Sequence, residues 1–134
     1  MASLADATAR LNVHLRDLVS ILQNAKADPA HCEALTKYID AKQHLDLLEL
    51  AETFASNMVL VNTSEFIAKL CQCWNGLLDI CNMEKKALTK KIKALKEDKK
   101  TDPDVLARNE GLLYDIEQRT CTVLIQAARL RKMQ

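Results

Sequence analysis

From Ser64 to Lys99 the chain contains no proline and a single glycine, Gly76, while holding the only tryptophan, three of the five cysteines and eight lysines. Such a stretch has nothing to stop a helix, and at about 1.5 Å per residue that helix runs on the order of 50 Å. Its first half sets Phe66, Leu70, Cys73, Trp74, Leu77, Leu78 and Cys81 on one broad side. Its second half keeps only a thin seam of Leu88, Ile92 and Leu95 within a lysine sheath. A rod of this kind has to be covered by other helices, so the rest of the chain is read for what can cover it.

The remaining sequence supplies helices and little else. Two glycines and two prolines in 134 residues, with 49% hydrophobic content, leave too few turn residues for a mostly β protein. Ser3 can cap a first helix with Asp6 at its third position, and Leu4, Leu11, Leu15, Leu18 and Leu22 follow as a seam interrupted by Thr8. Asp28-Pro29 opens a second helix, with Asp at the cap and Pro where its missing N–H costs nothing. Cys32, Leu35, Tyr38, Ile39, Leu45, Leu48, Ala55 and Val59 thread on one side, which predicts continuity to about Val61, with a break at Asp40 to Gln43 as the alternative. Asn62 and Glu65 outline a capping box before the long helix. Asp102-Pro103 repeats the start signal for a last helix to Arg131, with a seam of Leu106, Leu113, Ile116, Val123, Leu124, Ala127 and Leu130.

These segments predict an all-α, antiparallel up-down-up-down four-helix bundle in one domain, with helices at about 3–25, 29–61, 64–99 and 102–131 and a long C-terminal helical hairpin. If the hairpin folds around Lys100, Trp74 meets Ala127 and Ala128, Leu88 meets Leu113, Leu95 meets Leu106, and Cys81 meets Cys121. Glu110, Asp115 and Glu117 then lie alongside Lys86, Lys90 and Lys91.

No catalytic or metal chemistry is expected. Phosphate-binding glycine loops, HExxH and nucleophile motifs are missing from the sequence, and the glutamates and three histidines lack the Glu-x-x-His spacing of a bundle metal site. Cys71 and Cys73 lie about 200° apart around a helix, which suits small buried hydrophobes better than zinc ligands. His14 is expected to be a partly exposed structural histidine. The expectation is therefore a non-enzyme with no cofactor. An odd cysteine count, Asp6 near the start with no apolar leader, and an aliphatic run no longer than Met58 to Val61 suggest an intracellular chain, cytoplasmic or nuclear, with no membrane span.

Two apolar stripes exceed what a bundle needs: Leu47, Leu50 and Phe54 on the second helix, extended by Met58 and Val61, and Tyr114, Cys121 and Ile125 on the last. Stripes of that kind mark a protein–protein surface, so the expected function is an adaptor or assembly subunit gripping a partner helix, a short peptide or a second copy of the chain. The contrasting reading rests on residues 84–100, with eight lysines against three acids in a chain of net charge +1. There Lys86, Lys90 and Lys93 would contact a nucleic acid, although the run holds no arginine and no aromatic side chain to read or stack a base.

The run Phe66-Ile67-Ala68-Lys69-Leu70-Cys71-Gln72-Cys73-Trp74-Asn75-Gly76-Leu77-Leu78-Asp79 resembles the last-helix Leu-Trp motif of the TFIIS N-terminal domain family. Upstream, Arg10-Leu11, Asp28 and Cys32-Glu33-Ala34-Leu35 are similar in order to the related integrase-binding domains. The resemblance spans about residues 8 to 80 and requires a helix break near Asp40. It implies a compact nuclear module that docks disordered motifs of transcription regulators, with Trp74 in its core.

Overall fold

In a computed structural model describing residues 3–57 and 64–134, the chain is all-α, with five helices and no strand among those residues. They are α1 (Leu4–Asn24), α2 (Pro29–Asp40), α3 (His44–Asn57), α4 (Ser64–Glu97) and α5 (Pro103–Met133).

The start signals act as the sequence suggests. Ser3 accepts from the Asp6 backbone N–H while the Asp6 carboxylate accepts from the Ser3 N–H, a complete capping box. The Ser3 backbone N–H, and after it the Ser3 side chain, hold the Asp6 carboxyl below its ordinary pKa. Asp28 and Asp102 each accept at 2.9 Å from the N–H two residues on, with proline in the first turn.

The four-helix expectation is corrected at the second helix, which is two helices rather than one. α2 ends in a Schellman motif: Gln43 N–H reaches Tyr38 O at 3.0 Å, Lys42 N–H reaches Ile39 O at 3.1 Å, and Lys42 sits at φ 59°. The cause lies in the phase of the apolar residues. α2 buries Cys32, Leu35 and Ile39, whereas α3 buries Leu47, Leu48, Ala51 and Ala55. On one continuous helix those two sets would point roughly 140° apart, so only a break lets both face one core. Met58, Val59, Val61 and the Asn62 cap lie outside the described residues.

α4 is the hub. Between Phe66 and Cys81 it buries Phe66, Ile67, Leu70, Cys71, Cys73, Trp74, Leu77, Ile80 and Cys81, because α1, α3 and α5 all pack on this half. α2 packs on α1 and α3. Leu11, Leu15, Leu18 and Leu22 of α1 are buried, and at Gly76 an added Cβ would stand 3.3 Å from Leu11 Cδ1, so α1 comes close to the α4 backbone there. Leu4, at the open end of that seam, is exposed.

Beyond Cys81, α4 packs chiefly on α5. The ion pairs Glu84–Arg119 (3.9 Å) and Lys96–Glu110 (3.7 Å) run in opposite directions along the two helices and fix them as an antiparallel hairpin. In its distal part, residues 85–118, only Ile92 and Asn109 are buried, with Leu88, Leu95, Leu106, Leu113 and Ile116 half-buried. The hairpin is thus an arm that extends past a body formed by the other helices.

Candidate interaction surfaces

The structure divides the expected site residues into three groups. Leu47 is 0% exposed and belongs to the hydrophobic core, which corrects its assignment to a partner-facing stripe. The break after Asp40 turns α3 so that Leu47 points inward. Leu50 and Phe54 are half-buried and pack against the core, and the Phe54 ring stacks on His31 with centroids 4.0 Å apart and planes at 5°. Most of that stripe is therefore used inside the molecule.

The α5 stripe is open. Tyr114 is 62% exposed and Ile125 66%, and Cys121 is the one exposed cysteine. Steps of seven and four residues align the three on one face of the helix, opposite Val123, Ala127 and Leu130, which are buried. Leu124, assigned to the seam from sequence, is instead 49% exposed and widens the open face. Cys121 is exposed, whereas Cys81, its expected neighbour, is buried. Cys81 is buried beside Thr120, whose side chain hydrogen-bonds the thiol, and burial pushes its pKa up. Trp74 is buried, as is Ala127, while Ala128 is exposed.

Arg129 ties α5 to the body. Its Nη2 donates to both oxygens of Glu52, at 2.6 and 2.9 Å, and its Nε donates to Gln126 Oε1 at 2.8 Å. A guanidinium held by Glu52 and Gln126 gives the C-terminal half of α5 a fixed orientation, so the face carrying Ile125 is presented by a rigid element.

Lys86, Lys90 and Lys93 line a shallow groove of about 390 Å³ on α4 with Asn82, Lys85 and Thr89. All three are exposed, and among the described residues none has a carboxylate within 4 Å. The expected neutralisation by Glu110, Asp115 and Glu117 is corrected accordingly. Glu110 pairs with Lys96, nearer the tip, while Asp115 and Glu117 are in no ion pair among the described residues.

A pocket of about 450 Å³ lies at the α2–α3 turn, with Lys42, His44, Leu77, Cys81, Glu84 and Arg119 on its walls. His44 is 8% exposed, its Nε2 has no hydrogen-bond partner among the described residues, and burial, then Lys42, lowers its pKa from 6.5. Sequence reading missed this pocket because a continuous second helix has no turn there. The one available signal was the thinning of the apolar pattern from Asp40 to Gln43. Its charges cancel between Lys42 and Asp46 and between Arg119 and Glu84, so it favours no class of ion.

The remaining thiols are structural in placement. Cys32, Cys71 and Cys73 are buried, burial raises the Cys32 pKa, and Cys73 is pushed up to about 12 by burial. His14 is half-buried with Nδ1 3.4 Å from Lys69 Nζ, and Lys69 pairs with Asp17 at 3.4 Å. Among the described residues no group of three His, Cys, Asp or Glu side chains could hold a metal ion, and no helix is long and apolar enough to cross a membrane. Comparison with protein-family models, curated proteins and solved structures finds no match for this chain.

Proposed function

We propose that this chain is a non-catalytic helical interaction module, an adaptor or assembly subunit within the cell, that docks another polypeptide on the outer face of α5. The observation that carries this reading is the alignment of Tyr114, Cys121 and Ile125 in solvent on a helix whose opposite side is already packed. Contiguous apolar surface on a rigid helix is what an amphipathic partner helix or peptide covers. Leu50 and Phe54 contribute less, being engaged with the core. Tyr114→Glu and Ile125→Glu variants should keep native helix content by circular dichroism, since both sites are exposed, and should lose the bound polypeptide. Unchanged retention of every partner by both variants sinks the proposal.

A second reading draws on the α4 groove, where Lys86, Lys90 and Lys93 stand free of carboxylates. It is a nuclear, nucleic-acid-associated or transcription-associated role, and the break after Asp40 and the burial of Trp74 are features that the TFIIS-like resemblance calls for. Clustered lysines release counterions from a polyanion, so retention on DNA should fall steeply with salt and vanish in the triple Lys→Glu variant. Retention that ignores those three changes leaves the docking module as the sole reading.

A further inference from the structure

The open face of α5 is polarised along its length. Glu110 stands at one end and Lys132 at the other, with Tyr114, Cys121, Ile125 and Ala128 between them, all six exposed. Successive steps of four, seven, four, three and four residues from Glu110 to Lys132 keep them on one face. Apart from Arg108, the rest of the helix follows the same order. Asp104, Glu110, Asp115 and Glu117 all precede Gln118, and beyond it the only charged residues are Arg119, Arg129, Arg131 and Lys132. On the inner side, Lys96 of α4 reaches Glu110 at 3.7 Å, but its side chain and that of Glu110 remain half exposed. Lys132 is in no ion pair among the described residues.

We propose that this face pairs with the same face of a second copy of the chain, antiparallel, around a two-fold axis at Cys121. The inference rests on the docking role of α5 and names its occupant. Glu110 and Lys132 are equidistant in sequence from Cys121, so each Glu110 meets the mate's Lys132, and symmetry makes the contact twice. Tyr114 and Ala128 are likewise equidistant from it, which sets a small side chain opposite each phenol ring. A parallel pairing would place Glu110 on Glu110 and Lys132 on Lys132. An antiparallel one turns the same charges into attraction, and so the charge order selects both the partner and its direction.

Sedimentation velocity on the intact chain tests this, together with a short bismaleimide that links exposed thiols. The wild type should sediment as a dimer and yield a covalent dimer that Cys121→Ser abolishes. Glu110→Lys and Lys132→Glu should each weaken self-association by about tenfold, since every dimer loses two contacts. The second variant also guards against damage to the Lys96 contact by the first. Mixing the two variants in equal amounts, or combining both changes in one chain, should restore the dimer, because either arrangement again sets opposite charges together. A monomeric wild type, or a dimer indifferent to both reversals, or a mixture that stays dissociated, overturns the pairing. If the wild type is monomeric but Ile125→Glu still abolishes capture of a different protein, the two-fold pairing fails and the docking reading stands. If Ile125→Glu changes neither, both fail.

Discussion

Lys42 decides where the second segment of the chain turns, and it does so with a side chain poorly suited to the task. At φ 59° it occupies the left-handed cap position that glycine adopts without a Cβ clash. Lys42→Gly should therefore raise the denaturation midpoint, by a stabilisation of about 1 kcal/mol less the added entropy of the unfolded glycine. A lower midpoint would show that the lysine side chain contributes something its exposure conceals. The missing glycine is also why the break is only an alternative in the sequence: the stop is carried by the polar phase of Lys42-Gln43 and by the apolar residues on either side, and its one local sign is the thinning of the apolar pattern there. His44, two residues on, gives the fold a pH dependence. Its folded pKa lies below 6.5, so the unfolded chain takes up a proton first as pH falls, and stability should decline from about pH 6.5 down to the folded pKa. Thermal midpoints measured on both sides of that range should drop toward acid in the wild type and change less in His44→Gln. Equal slopes in the two proteins would remove His44 from the account.

Among the elements, α4 carries two different jobs in its two halves. The first half is largely buried, and Leu70→Ala there should cost on the order of 3 kcal/mol, since Leu70 is fully buried in the hydrophobic core. The second half shares only a thin seam with α5, in which Ile92 and Asn109 are the buried pair. Few buried apolar contacts mean low local stability, so backbone amides in 85–97 of α4 should exchange with deuterium orders of magnitude faster than those in 66–81. Uniform protection along α4 would contradict that difference between its two halves. This contrast was legible in the sequence, because apolar residues crowd 66–81 and thin out to Leu88, Ile92 and Leu95 among lysines. The role of Asn109 was not, since a buried polar side chain bonded to Val105 O at 2.7 Å leaves no periodic trace. A polar residue at such a seam position restricts register at some cost in stability.

For the whole molecule, cysteine placement offers a simple check on the assembly of all five helices. Four of the five thiols are buried and only Cys121 is exposed, so a thiol reagent should modify one cysteine in the native protein and all five in denaturant. More than one fast thiol in the native state would mean that the body is not packed as described. The all-helical character and the terminal hairpin could be read from sequence because helix periodicity and the Asp-Pro start signals are local. Which apolar stripe remains open could not, because Leu47 and Ile125 look alike in sequence and differ only in what α2, α3 and α4 bring against them. Which apolar face stays open is accordingly a property of the assembled fold. The most direct test places a photo-crosslinking amino acid at Ile125 in the expressing cell, with exposed Gln72 of α4 as the control position. The expected result is a discrete covalent adduct of the chain with another polypeptide or its own copy from position 125 and none from position 72. Irradiated chain that stays a free monomer from both positions would contradict the claim that the outer face of α5 is a docking surface.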